Sequence, residues 1–286
     1  MATFYNQATL IFGGSETNSN ITEGQILGGA DVSKIALSRD YGKGDGINYA
    51  ISLVNNGAAV SNITLTDNLG EFTPDGFAAP VVPLTYVDNS LLYYVNGIIT
   101  EAPDALVTDD GLVISGINIP ANSNALIIYE ARANEFAPLS SGSSVTNTVM
   151  LGGNTTLDEV TASATVPVRD FTNLTIAKAV YPEIATDNSE ITYIFIIQNT
   201  GNTPAAATDN VIIRDTFTPI LNPITVTLNG ENLTEGTQYT YDVTTGDFTT
   251  IGGAVPVPAA TFTRDPVSGA VSTTPGVAIL KIIGTI

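Results

Sequence analysis

Apolar and polar positions alternate along almost the whole chain. Short runs rich in Val, Ile, Thr and Tyr, such as Ile47–Val54, Ile63–Thr66, Leu91–Val95, Ala125–Ala131 and Ile191–Ile197, carry the two-residue period of half-buried strands. Between them stand Asn55-Asn56-Gly57, Asn96-Gly97, Asn199-Thr200-Gly201 and Asn229-Gly230, where Asn and Gly accept the positive φ of tight turns. Helical periodicity is almost absent. The expected fold class is all-β, built as sandwiches.

The pattern also repeats. Lys34, Tyr49, Asn55 and Gly57 recur at one constant offset as Lys178, Tyr193, Asn199 and Gly201. Asn62–Leu69 then answers Asn210–Phe217, Tyr94–Gly97 answers Thr227–Gly230, and Ala125–Ala133 answers Ala278–Ile286. The first repeat continues through Ser144–Gly153 (SVTNTVMLGG), whereas the second reaches Ile286 without such a strand. A related strand stands at the other end, Asn6–Phe12 within MATFYNQATLIF. The expected organisation is therefore an N-terminal donor strand (1–13), a flexible linker (14–30) and two tandem immunoglobulin-like sandwich domains (31–168 and 169–286). The second domain lacks its last strand and accepts one in trans. The linker assignment rests on Gly-Gly pairs and on Ser, Asn and Thr content. Glu231–Arg264 has its own Tyr/Thr/Phe alternation and is expected as an extra hairpin on the second repeat.

Composition narrows the chemistry. The 286 residues include no Cys, His or Trp, which removes disulfides, thiolate or imidazole metal ligands and Cys/His nucleophile–base pairs. A net charge of −19, with 9 Lys+Arg against 28 Asp+Glu, opposes binding to nucleic acid or an anionic membrane. No apolar run is long enough to span a bilayer, and Met1–Phe4 begins no signal peptide. Asp40 with Asp45, and Asp104, Asp109 and Asp110, read as solvated turns, because their spacing matches no calcium loop. No phosphate loop, nucleophile elbow or dinucleotide fingerprint is present. The expectation is no enzyme, no cofactor and no metal.

The runs Leu174–Lys178, Ile191–Tyr193, Gln198–Asn202 and Ile212–Thr216 resemble the bacterial surface-repeat family known as domain of unknown function eleven, with its pattern LxxxK … xTYxxxxxNTGN … xxDT. The first repeat matches less closely, with Asn55-Asn56-Gly57 and Asp67-Asn68 at the corresponding places. The resemblance implies immunoglobulin-like stalk or fibre repeats and brings no enzymatic activity. Collagen-adhesin-type relatives often carry an internal Lys–Asn isopeptide bond, for which the matching residues are Lys34, Asp67 and Asn147. That chemistry needs a lysine in an apolar core, so that burial favours the neutral amine, and a protonated acid that polarises the amide. The bland alternative is an exposed Lys34 and a turn residue at Asp67. In the second repeat Lys178 and Asp215 are present without their Asn, which Asn6 of a neighbouring subunit would supply.

The leading expectation is a subunit that polymerises head to tail by donor-strand complementation into an extracellular, cell-surface or spore-surface fibre. Its partner is itself, with other surface components permitted and no membrane insertion. The donor face is Ala8, Leu10 and Phe12, with Tyr5 and Asn6, or the opposite set Tyr5, Thr9 and Ile11. The alternatives are a stalk fragment of a cell-wall adhesin, acting as a spacer or binding module, and a carbohydrate-active protein.

Overall fold

The computed structural model describes residues 2–26, 30–152 and 160–286, and strands make up nearly all of its regular structure. Among the described residues the single helical element is the 3-10 turn Ala207–Asp209. The chain is all-β.

At the N-terminus β1 (Ala2–Asn6) and β2 (Thr9–Phe12) run out to a turn at Gly13-Gly14, and β3 (Ser15–Asn18) and β4 (Thr22–Ile26) return. β1 pairs with β4 and β2 with β3, both antiparallel. Most of the segment expected as a linker is therefore the return arm of a hairpin. Ser, Thr and Asn suit a polar strand as well as a spacer, so composition alone does not separate the two. Gly13 and Gly14 decide it locally, because both take positive φ (60° and 83°), as a two-residue hairpin turn requires. Gly28-Gly29 of the expected linker lies outside the described residues.

The chain divides into two compact units, Met1–Pro138 with Ser144–Val168, and Leu139–Ser143 with Arg169–Ile286. The sandwich of unit 1 contains β5 (Ala30–Ala36), β6 (Gly46–Asn55), β7 (Val60–Asp67), β8 (Leu84–Tyr86), β9 (Leu92–Val95), β10 (Ile98–Thr100), β11 (Asp104–Thr108), β12 (Gly111–Ile119), β13 (Ser123–Ala133), β14 (Ser144–Gly152) and β15 (Val160–Pro167). One sheet has the order β10-β9-β13-β6-β5, with β8 also on β13, and the other β11-β12-β7-β14-β15. Alternate residues of the inner strands point inward. Tyr49, Ile51 and Leu53 of β6 and Ile127 and Tyr129 of β13 are buried, as are Ile63 and Leu65 of β7 and Val145, Val149 and Leu151 of β14.

Unit 2 contains β16 (Leu174–Tyr181), β17 (Glu190–Asn199), β18 (Arg214–Thr216), β19 (Ile224–Leu228), β20 (Glu231–Asn232), β21 (Tyr239–Tyr241), β22 (Asp247–Thr250), β23 (Thr261–Arg264), β24 (Val271–Thr274) and β25 (Gly276–Thr285). Its larger sheet runs β16-β17-β25-β19-β20 and its smaller one β18-β22-β21, with β23-β24 as a separate hairpin. The stretch Glu231–Arg264 is thus more than an addition. Tyr239 and Phe248 sit in the same buried cluster as Phe195, Phe217 and Leu280, so β21 and β22 build the second layer of the core. In strand order they take the places of β11 and β12. Among the described residues of unit 2, nothing takes the places of β14 and β15, and β18 is left as a sheet edge.

The repeated Asn-x-Gly motif closes the second strand of each unit. Buried Asn55 accepts from Gly57 N–H at 3.0 Å and donates to the carbonyls of Ala58 and Pro120. Buried Asn199 accepts from Gly201 N–H at 2.9 Å and donates to Thr203 O. The two glycines differ in what surrounds them. A Cβ on Gly201 would stand 2.2 Å from the backbone oxygen of Phe171, whereas one on Gly57 would meet nothing nearer than Asn55 Oδ1 at 3.6 Å. Gly201→Ala is therefore expected to destabilise the protein by about 2 kcal/mol or more, and Gly57→Ala by less than about 1 kcal/mol. Urea midpoints followed by circular dichroism check the difference.

Candidate functional site

The two repeat-related lysines define two centres of very different character. In unit 1, Lys34 lies on β5 in the larger sheet, and Asp67 and Asn147 lie at adjacent places on β7 and β14 in the other sheet. The strand phase that buries Val32 also turns Lys34 inward, and the phase that buries Ile63 and Leu65 does the same for Asp67. Lys34 Nζ stands 2.5 Å from Asp67 Oδ2, and neither side chain has any solvent exposure. The ammonium also lies 4.8 Å from the centre of the Tyr49 ring. Burial lowers the Lys34 pKa to about 8, and the Asp67 carboxylate only partly offsets that shift. The bland alternative, an exposed Lys34 and a turn Asp67, does not describe this centre.

A residue absent from the sequence-based list joins the group. Tyr129 donates its hydroxyl proton to Asp67 Oδ2 at 2.6 Å and accepts from Asn147 Nδ2 at 2.9 Å. Burial raises its pKa well above the usual range, and the adjacent Asp67 carboxylate adds to the shift. Leu69 N–H donates to the other Asp67 oxygen at 3.1 Å. Lysine, carboxylate, phenol and amide therefore form one buried chain, with Asn147 Oδ1 left without a hydrogen-bond partner. The register β6–β13 places Tyr49 opposite Tyr129, and the rings stack with centroids 5.6 Å apart. That inward tyrosine pair was the available signal. It went unread because the second repeat carries Ile282 opposite Tyr193, so no shared motif marks the position.

In unit 2, Lys178 on β16 pairs with Asp215 on β18, but the centre is open. The side chains are 40% and 19% exposed. Lys178 lies over the ring of Tyr193, 4.4 Å from its centroid, as Lys34 does over Tyr49. Around it β16 is exposed along nearly its whole length. Ile176 is 57% exposed, whereas its repeat equivalent Val32 is 7% exposed. Apolar side chains that a sandwich normally buries thus line an open groove beside the free edge of β18.

The other expected site residues lie in the N-terminal hairpin. Tyr5, Asn6, Ala8, Leu10 and Phe12 are all exposed, as is Ile11. Asn6 stands opposite Thr22, and Thr22 Oγ1 donates to Asn6 O. Among the described residues, no group of three or more acidic side chains is arranged to hold a metal ion.

No protein-family model matches the chain, so the surface-repeat resemblance rests on the motifs themselves. No curated protein matches it in sequence. Among solved structures it is similar to BcpA, the major pilin subunit of Bacillus cereus, at 9% identity over 96% of this chain and 73% of that one, with a TM-score of 0.35. It is also similar to the collagen-binding subdomain of the Enterococcus faecalis surface protein ACE, at 8% identity over 46% of this chain and 94% of that one, TM-score 0.32. A family 123 glycoside hydrolase from Clostridium perfringens is similar at 13% identity over 50% of this chain and 27% of that one, TM-score 0.32. Likeness at this level assigns no activity.

Two predictions come from the contrast between the centres. In an Asn147→Ala background, where Lys34 stays a free amine, Asp67→Ala strands a buried ammonium and is expected to cost about 3–5 kcal/mol, while Asp215→Ala, at a partly solvated pair, costs at most about 1 kcal/mol. Chemical denaturation of the two variants measures the gap. The second concerns pH, read in an Asn147→Ala chain whose lysine stays a free amine. Folded Lys34 releases its proton near pH 8, below the 10.5 of an unperturbed lysine. Between those values the unfolded chain binds more protons, so stability rises with pH. The rise should extend from about pH 8 to the onset of tyrosine ionisation near pH 10 and should vanish when Lys34→Met is added.

Proposed function

We propose that the chain is a non-enzymatic structural subunit, polymerised head to tail into an extracellular or surface fibre by the N-terminal segment of one copy closing unit 2 of the next. The observation that carries this reading is the open Lys178–Asp215 groove beside its closed counterpart at Lys34 and Asp67. The same fold, built twice, is sealed once. Aligning Asn6 with Asn147 selects the docking face. Asn147, Val149 and Leu151 point inward on β14, so Asn6, Ala8, Leu10 and Phe12 would point inward and Tyr5, Thr9 and Ile11 outward. Each large apolar side chain buried there contributes about 1.5–3 kcal/mol. Because donor and acceptor are different surfaces, the contact propagates unless it closes a ring.

Covalent reinforcement is part of the same reading. In unit 1, Lys34 Nζ would pass a proton to Asp67 and attack Cγ of Asn147. The new C–N bond replaces the bond to Nδ2, which takes up a proton and leaves as ammonia. At the junction Asn6 would play the part of Asn147 beside Lys178 and Asp215. The buried chain in unit 1 supports the first bond, and the exposed pair in unit 2 supports only the second one's partners.

Negative-stain electron microscopy of the full chain, beside one lacking Met1–Phe12, tests the assembly. Filaments are expected in the first sample alone. Filaments in both place the contact elsewhere, and monodisperse particles in both leave the stalk-fragment reading, in which a following segment of a longer chain closes unit 2. Boiling the polymer in denaturant tests the junction bond. A ladder is expected from wild type and none from Asn6→Ala.

A further inference from the structure

A single donor strand would leave unit 2 one strand short. In unit 1 the sheet continues from β7 to β14 and then to β15, and β14 and β15 pair with each other along their length. In unit 2 the corresponding sheet stops at β18, so two places are vacant relative to unit 1. The exposure of β16 fits a two-strand deficit. Its equivalent β5 packs beside β15 as well as β14, and β16 has neither neighbour.

The N-terminal arm has the matching form. β1 and β2 run out and β3 and β4 run back, as β14 runs out and β15 back. With Asn6 placed on Asn147, Thr22 stands opposite Asn6 as Ala164 stands opposite Asn147. Residues 2–12 contain no charged side chain in a chain of net charge −19, and Tyr5, Leu10, Ile11 and Phe12 are exposed. A paired arm also reaches its acceptor already ordered, which avoids about 1–2 kcal/mol per residue otherwise lost when a free tail docks.

Resting on the reading that a second copy closes unit 2, we infer that the donor is the whole hairpin Ala2–Ile26, with β1–β2 on the free edge of β18 and β3–β4 outside them, alongside β16. The register follows from unit 1. Val149 opposes Asp67 and Leu151 opposes Leu65, so Ala8 opposes Asp215 and Leu10 opposes Ile213 of the next copy. The return arm is then a structural layer of the junction rather than a spacer.

A locked hairpin separates the two kinds of donor. Thr9 and Asn18 stand opposite each other, with Thr9 Oγ1 2.7 Å from Asn18 Oδ1, and the chain has no cysteine of its own. The double variant Thr9→Cys, Asn18→Cys would hold the arm shut when oxidised. Its oxidised form is expected to polymerise, by light scattering and electron microscopy, at the rate of its reduced form. Failure of the oxidised form alone would show that the hairpin must open, and would overturn the inference. A second variant replaces Ser15–Ile26 by Gly and Ser at equal length, which keeps the donor strand and removes the return arm. Its polymerisation is expected to fall roughly tenfold or more, the scale of 1.4 kcal/mol. Wild-type behaviour of that variant would overturn the hairpin donor and leave the single strand standing. Absence of filaments from the wild-type chain itself would remove both.

Discussion

A charged pair between two apolar sheets is tolerable only while every group around it has a partner and water is kept out. Unit 1 comes close to that condition with Lys34, Asp67, Tyr129 and Asn147 linked in one chain and Leu69 N–H on the remaining carboxylate oxygen, while Asn147 Oδ1 and the Tyr49 hydroxyl stay without a partner. The condition is as much topological as chemical. β14 supplies Asn147 and, with β15, closes the sheet beside β7, so the first and last strands of the sandwich meet over the same centre. Take the last two strands away and the lysine and carboxylate remain, but as a partly solvated surface pair. Unit 2 has that arrangement.

The difference changes what each pair can do. At the closed centre desolvation lowers the lysine pKa to about 8, bringing the neutral amine within reach at ordinary pH. At the open centre water screens both groups, and the pair contributes little to stability. A strand that docks there does two things at once. On the proposed reading it would bury Ile176 and its neighbours and take Lys178 out of water. Assembly and completion of the second centre would then be one event.

Much of this was legible in the residues. The alternation of Ile47–Val54 and Ile191–Ile197 showed strands, and the constant offset from Lys34 to Lys178 showed two copies of one fold. The inward placement of Lys34 and Asp67 stood as one of two readings beside an exposed lysine and a turn aspartate, and their burial decides between them. Two features were not legible. Tyr129 has Ile282 as its counterpart, so comparing the repeats hid the residue that links Asp67 to Asn147. Ser15–Ile26 has the composition of a spacer, and only the left-handed turn at Gly13-Gly14, with the pairing of β2 and β3, reveals a strand. Both misses have one cause. Motifs report positions that repeats share, and neither Tyr129 nor the Ser15–Ile26 arm has a sequence counterpart that marks it.

The hairpin also bears on how such a chain stays soluble before it assembles. Exposed Leu10, Ile11 and Phe12 on a paired ribbon are an association hazard, and a free sheet edge at β18 is another. Net charge opposes both, since −19 on each copy repels other copies once their surfaces come within the Debye length, about 8–10 Å at moderate salt. At that range the outgoing strands, with no charged side chain over residues 2–12, carry less repulsion than the acidic surfaces around them, although the return arm keeps Glu16 and Glu23. The charge therefore acts as a filter. Random encounters between acidic surfaces are turned away, while on the proposed reading the uncharged strands of one copy would reach the groove of the next. Added salt should then loosen the filter more than it strengthens the docked contact, because the docked contact is held by buried apolar surface and backbone pairing, which salt screens little.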